Sequence, residues 1–265
     1  MNNNDFKIKI GWLYPELMST YGDRGNILYL RRRCEKYGIA TEVISIDQSF
    51  LPAQFNDIDF IFGGGSQDTE QEIVMRDLKG EKSKVLKSKI ENDTPALFVC
   101  GSPQLMGNSY EPAVGKKIEG LGIFDMESVH PGPTVARCIG NTVGEVIMEN
   151  IGMPVDDKLI IGFENHGGRS HLGTNAKPFA KVIKGFGNNG ADGYEGVVYK
   201  NAIGCYYHGP FLPKNPAMAD FFIRKIVKVK YDEKIELKKL EDLFEIKARE
   251  MLLKRWGVTT DLIKP

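Results

Sequence analysis

The sequence predicts an α/β protein: a mostly parallel central sheet, helices on both of its faces, and a helical extension at the C-terminus. Three observations carry that reading. Short apolar or β-branched runs alternate with helix-like segments through the first half of the chain, the order that builds parallel sheets from strand–helix–strand units. Short strands between Gly and Asn turns fill most of the second half. The C-terminal segment places apolar residues at three- and four-residue steps, the spacing of an amphipathic helix. With 265 residues, 42% apolar and 26% charged, the chain can bury a core without disulfides or a structural metal.

Residues 7–13 alternate and then turn apolar, as a strand entering a buried sheet does. Residues 25–37 carry Ile27, Leu28 and Leu30 ahead of Arg31, Arg32 and Arg33 and stop at Gly38, a helix with a glycine end signal. Strands are expected over 41–46 and 58–62, the second running into Gly63-Gly64-Gly65. Helices are expected over 67–78 and 82–90, and a strand over 95–99 leads directly into Cys100. Downstream, strands are expected over 135–139, 145–148, 159–163, 179–183, 193–199 and 203–207, as a β-rich extension of the same sheet, with a turn cluster at 185–190. A helix is expected over 217–227. From 236 to 255, Leu237, Leu240, Phe244, Ala248 and Met251 form one apolar stripe. Such a helix either docks on its own domain or is presented to a partner. The expected division is a main domain over 1–230 and a helical extension over 231–265.

Composition excludes several functions. Thirty-five Lys and Arg balance thirty-five Asp and Glu, whereas nucleic-acid-coating and membrane-surface proteins need a basic excess. No apolar run approaches the roughly 20 residues of a membrane span, and the first residues do not form a signal peptide; the reading is cytoplasmic. Cys34, Cys100, Cys138 and Cys205 form no C-x-x-C pair, and His130, His166, His171 and His208 form no H-E-x-x-H, so no metal site is expected. Gly115-Lys116-Lys117 is not a phosphate loop: Tyr110 stands where its first glycine belongs, and no Ser or Thr follows the lysine.

The strongest local signal is the apolar strand ending on Cys100, followed by Gly101 and Ser102. A thiol at such a strand-to-helix turn stands above the sheet edge, facing solvent, with backbone N–H groups at hand, and a helix N-terminus favours the thiolate. The alternative is a buried structural cysteine. Its position favours function, because ligand sites in open α/β sheets lie at the carboxyl ends of strands. The Gly63-Gly64-Gly65 turn would let a reacting group approach closely and offer a second N–H to an oxyanion, or is an ordinary turn. His208, at the end of the 203–207 strand, is the expected base. His130, His166 and His171 lie in loops and are read as structural or solvated.

At this point the sequence resembles a known family. Cys100-Gly101-x-x-Gln104-x-x-Gly107 is similar to the nucleophile elbow of class I glutamine amidotransferases of the cobyric-acid-synthase-like branch. Gly162-Phe163-Glu164-Asn165-His166 and Tyr21-Gly22-Asp23-x-Gly25-Asn26 resemble further motifs of that branch, most closely among the glutaminase subunits of lipid II isoglutaminyl synthases. The resemblance runs from about residue 7 to about residue 230. It implies a three-layer, flavodoxin-like fold, with Cys100 as nucleophile, His208 as base, and backbone N–H groups of Gly64, Gly65 and Gly101 on the oxyanion. It also implies Arg137 on the glutamine α-carboxylate and Gln104 on the substrate; Glu164 and His166 are read as structural. No cofactor is expected in this chain. Ammonia would pass to a Mur-ligase-like synthetase subunit, which carries ATP and metal and amidates the D-glutamate of the lipid II stem peptide. Feeding a cobyrinate-type synthetase, or a non-catalytic binding role on the same fold, are the alternatives. Two positions depart from the pattern. Pro210 stands where class I enzymes carry an acid two residues after the histidine, so the orienting group must come from another segment or from the partner. Phe98 stands where most elbows carry Gly.

Overall fold

The structure, a computed structural model, describes residues 3–258. In chain order its strands are Lys7–Leu13 (β1), Ala40–Ile46 (β2), Phe60–Gly63 (β3), Ala96–Val99 (β4), Ser109–Glu111 (β5), Ile118–Glu119 (β6) and Met126–Val129 (β7). Then follow Cys138–Val146 (β8), Leu159–His166 (β9), Arg169–Leu172 (β10), Ala180–Lys184 (β11), Tyr194–Glu195 (β12), Val197–Tyr199 (β13) and Ala202–Cys205 (β14). The helices are Arg24–Lys36 (α1), Asp68–Leu78 (α2), Glu81–Glu91 (α3), Gly101–Met106 (α4), Met148–Ile151 (α5), Phe211–Lys214 (α6), Pro216–Tyr231 (α7) and Leu243–Arg255 (α8).

Six strands form the central sheet in the order β13-β14-β4-β3-β1-β2, and every neighbouring pair is parallel except β13 with β14. β3 and β4 are buried along their whole length, as strands covered on both faces must be. Ile10, Phe60 and Leu97 point to a core under α1 and α7; Ile61, Phe98 and Ala96 point to a second core under α2, α3 and α4. This half agrees with the expectation to within a few residues at each boundary.

The second half does not extend the same sheet. Only β13 and β14 join it. β12-β11-β8-β9 form a separate antiparallel sheet, and β10-β7-β5-β6 a third. The strands expected over 135–139 and 145–148 are one strand, β8. Gly140, Asn141 and Gly144 suggested a turn there, but Gly144 is a packing glycine: a Cβ at that position would collide with the Tyr207 hydroxyl.

The C-terminal extension departs further. Residues 236–242 are not helical, and α8 starts at Leu243. Its apolar stripe points outward, with Phe244 88% and Met251 65% exposed. The helix instead docks through Leu253, packed with Val143, Leu159 and Ile161, and through Arg249, which donates to Asn215 Oδ1 at 2.7 Å and pairs with Asp157 at 2.9 Å. Residues 259–265 of the expected extension lie outside the described residues. The segment before α8 is pinned by Arg33 of α1. This buried guanidinium grips Asp220 of α7 at 2.6 and 2.7 Å and Asp242 at 2.8 and 2.9 Å. Among the described residues no helix is long and apolar enough to cross a membrane.

Removing one partner of a buried ion cluster strands the charges that remain. Arg33→Ala should lower unfolding free energy by about 3–5 kcal/mol in a urea melt. Arg32→Ala, which loses only an exposed pair with Glu35, should change it by less than about 1 kcal/mol. Equal effects would show that Arg33 does not tie the extension to the domain.

Candidate active site

Cys100 closes β4 and opens α4. Its φ of 55° and ψ of −99° are a conformation that costs a non-glycine residue about 1–3 kcal/mol. Two contacts hold it there. Its N–H donates to Cys205 O at 2.8 Å, and Gly101 packs so closely that a Cβ would lie 2.8 Å from Ser66 Oγ and 3.0 Å from Ser66 N. The sequence suggested a solvent-facing sulfur. Instead Cys100 is only 7% exposed and lies in the wall of a cleft of about 300 Å³. Phe98, the departure beneath the elbow, is fully buried edge-to-face against Phe124, and Gly63 leaves it room.

His208 follows β14. Reciprocal backbone hydrogen bonds with Phe163 of β9, at 2.8 and 3.1 Å, fix its main chain. Its imidazole is fully buried, with Tyr21 edge-on at 5.0 Å. Nδ1 lies 3.0 and 3.1 Å from the two carboxylate oxygens of Asp23. A carboxylate only accepts, so Nδ1 carries the proton and Nε2 is left for chemistry; Nε2 has no hydrogen-bond partner among the described residues. Burial alone disfavours the imidazolium. The Asp23 carboxylate and the Cys100 sulfur, near enough to act on it electrostatically, outweigh that cost and hold the His208 pKa well above the ordinary histidine value.

The orienting acid is therefore Asp23, in this chain and 185 residues upstream of the histidine. It occupies the N-cap position of α1 but makes no capping bond; its carboxylate turns to His208 and to Gly65, whose N–H donates to Oδ2 at 2.7 Å. That bond corrects the role expected of Gly65, whose N–H is already engaged. Gly65 instead provides space: a Cβ there would lie 2.8 Å from His208 Cε1 and 3.3 Å from Cys100 Cβ. Gly64 packs against Met18 O and Asp23, and its carbonyl accepts from Ser102 Oγ at 2.7 Å. The next donor in the loop, Ser66 N–H, lies beside Gly101 and has no partner among the described residues. Gly101 N–H, at the first position of α4, lacks an intrahelical partner by geometry. Ser66 and Gly101 are thus two donors placed to hold an oxyanion.

Gln104 and Arg137 line the same cleft as Cys100. Gln104 is buried with both amide ends engaged, accepting from Gln71 at 2.9 Å and donating to the Tyr206 hydroxyl at 3.1 Å. Arg137, just before β8, is exposed and donates to Asn165 Oδ1 and O, both at 3.0 Å. The other polar residues support the walls. Glu164 accepts from the N–H groups of Phe186 and Gly187 at 2.7 and 2.9 Å. His166 stacks on Tyr206 at 3.8 Å and holds Gly168 O at 2.8 Å. His130 accepts from Gly132 N–H, and His171 lies on β10 away from the thiol cleft. The sequence reading did not single out Asp23, Ser66 or Asp68 as site residues. Asp23 had a visible signal, its place in Tyr21-Gly22-Asp23, but an Asp before a helix also reads as an ordinary cap. A thiol on a strained turn, an imidazole with a free Nε2, a carboxylate on its Nδ1 and two free N–H groups can perform nucleophilic acyl transfer.

Comparison with known proteins bears on this constellation. The sequence profile of the CobB/CobQ-like glutamine amidotransferase domain matches residues 9–216. The chain is 37% identical over 243 residues to the lipid II isoglutaminyl synthase (glutamine-hydrolyzing) subunit GatD of Streptococcus pneumoniae, a match covering 91% of this chain and 88% of that one. It is 35% identical over 240 residues to the corresponding subunit of Staphylococcus aureus, covering 90% and 91%. Among solved structures, PurLQS from Thermotoga maritima shares the fold, with a TM-score of 0.56 at 14% identity over 86% of this chain and 99% of that one.

Asp23→Asn keeps the shape of the side chain and removes its charge. Burial then acts on His208 with much less opposition, so its pKa should fall, seen by NMR titration of the ring Cε1 proton. With less positive charge on the ring beside it, the Cys100 sulfur becomes less reactive, so its alkylation by iodoacetamide at neutral pH should slow. An unmoved His208 titration would remove Asp23 from the site. A glutamine-analogue electrophile should label Cys100 and spare the buried Cys34, Cys138 and Cys205; labelling elsewhere would displace Cys100 as nucleophile.

Proposed function

The chain belongs to the CobB/CobQ-like glutamine amidotransferase family, and from that premise we propose that it is the glutamine-hydrolysing subunit of a lipid II isoglutaminyl synthase. One observation carries the chemistry: the Asp23–His208 pair placed behind Cys100. The identity to glutamine-hydrolyzing subunits over nine-tenths of both sequences supports the acceptor.

Each step has a residue. His208 Nε2 takes the Cys100 proton and the sulfur attacks the side-chain carboxamide carbon of glutamine. The oxyanion is held by Ser66 and Gly101 N–H. Imidazolium returns the proton to the amide nitrogen, the C–N bond breaks and ammonia leaves. Water, its proton taken by His208, then cleaves the glutamyl thioester to glutamate and restores the thiol. Asp23, on Nδ1, keeps the ring in the tautomer that leaves Nε2 facing the reaction. Arg137, held on Asn165 through Nε and Nη2, offers Nη1 and its charge to the α-carboxylate, and Gln104, held by Gln71 and Tyr206, lines the same cleft.

The ammonia serves a second subunit. We assign ATP and its metal to a Mur-ligase-like partner, which activates the D-glutamate α-carboxyl of the stem peptide so that ammonia converts it to D-isoglutamine. The exposed Phe244 and Met251, seven residues apart and so on one face of α8, offer that second subunit an apolar surface.

The experiment is amidation of lipid II by the chain with its co-purifying synthetase, glutamine and ATP, followed by mass spectrometry of the stem peptide. D-isoglutamine should form. Cys100→Ala should abolish it with glutamine and leave it intact with added ammonium. A complex that amidates a corrinoid and leaves lipid II untouched would overturn the acceptor. His208→Ala should lower glutamine turnover by roughly 10²–10⁴-fold; equal loss in His166→Ala with His208→Ala active would move the base.

A further inference from the structure

We propose that Asp68 binds the α-ammonium of the glutamine substrate, so that the cleft reads the amino-acid end as a zwitterion between Asp68 and Arg137. The proposal rests on the glutaminase reading above.

Only two of the described residues lining the cleft carry a full charge, and they are of opposite sign: Asp68 and Arg137. Each is held by one neighbour and keeps part of its group unspent. Asp68 opens α2, two residues after Ser66. Its Oδ1 accepts from the Tyr110 hydroxyl at 2.8 Å, while Oδ2 has no partner among the described residues. Arg137 spends Nε and Nη2 on Asn165, while Nη1 has none. The two lie on adjoining walls. Arg137 Nη1 packs where a Cβ on Gly167 would lie 3.1 Å away, and the Tyr110 ring packs 3.2 Å from a Cβ on Gly168. Arg169 staples that corner, donating to Gly167 O and Ala136 O, both at 2.7 Å.

The Asp68–Tyr110 pair is also near the nucleophile. Burial first, then the Asp68 carboxylate, raises the Tyr110 pKa, and the Cys100 sulfur is among the groups near enough to influence it. Burial of Tyr110, 3% exposed, fixes the carboxylate it grips. A free amino acid at neutral pH carries an ammonium and a carboxylate on one carbon. A cleft of about 300 Å³ with one unspent acid and one unspent guanidinium nitrogen matches that pair. The site should therefore favour free α-amino acid amides over amides that lack the amino group.

The ammonium keeps its charge throughout the reaction, so its contact is equal in ground and transition states and acts on KM rather than kcat. Asp68→Asn keeps an acceptor for Tyr110 and removes the charge. Loss of a charge-assisted hydrogen bond predicts a KM for glutamine raised by about 10- to 100-fold. The probe is glutaramate, which is glutamine without its α-amino group. Wild type should hydrolyse it poorly, the loss in Asp68→Asn should fall on glutamine and not on glutaramate, and a urea melt matching wild type shows that the variant is folded. The preference for glutamine over glutaramate should thus collapse through glutamine alone. An unchanged glutamine KM, or equal losses on both substrates, would overturn the role of Asp68 and leave the glutaminase standing. Wild type that hydrolyses neither substrate, alone or with its synthetase, would overturn the glutaminase reading and this proposal with it.

Discussion

A single buried carboxylate joins the parts of this site. Asp23 is fully shielded from solvent, and an isolated carboxylate there would be too costly to stay ionised. Three features compensate it: the Gly65 N–H, the His208 Nδ1–H and the N-terminus of α1, whose first-turn N–H groups favour negative charge. In return it sets the tautomer of the imidazole and holds a proton on a ring that burial would otherwise keep neutral. The same bond draws the Gly65 loop against His208, so the position of histidine, loop and acid is one constraint rather than three.

The central sheet explains how residues so far apart in sequence reach one point. Its strand order places β14, β4, β3 and β1 side by side and parallel. The carboxyl ends of those four strands lead, in the same spatial order, to His208, Cys100, the Gly63–Gly65 loop and the Asp23 turn. Each neighbour in the sheet contributes one neighbour in the site, the arrangement expected at the strand ends of an open parallel sheet. The two smaller sheets bring the far wall: β8 begins beside Arg137, and the turn between β9 and β10 supplies Gly167 and Gly168.

Cys100 and His208 were legible because strand ends can be read from local pattern, and an apolar strand running into Cys-Gly is a local pattern. Asp23 was not, because its partner lies 185 residues away and an Asp before a helix is explained by capping alone. Two residues after His208 stands Pro210 and not an acid, so the acid had to come from elsewhere, and it comes from the β1–α1 turn. Gly65 shows the same limit: a glycine loop near a nucleophile suggests free N–H groups, but which N–H is free depends on long-range contacts. The second half was misread for a related reason. Gly144 serves a tertiary contact with Tyr207 and looks like a breaker. The single stripe expected over 236–255 is split: Leu237 and Leu240 precede α8 and pack on the core, while Phe244 and Met251 face outward, because a period cannot say where the helix starts or which face docks; Arg249 and Leu253 decide the docking.

One chain holds thiol, imidazole and acid together. The most direct measurement is rapid-quench intact-mass spectrometry of the purified chain mixed with glutamine alone, without synthetase or ATP. A glutamyl adduct on the Cys100 peptide should form and decay in wild type, and should form far more slowly in Asp23→Asn. Acylation that appears in wild type only after the synthetase is added would mean that the site is completed from outside, and would contradict the assignment of Asp23.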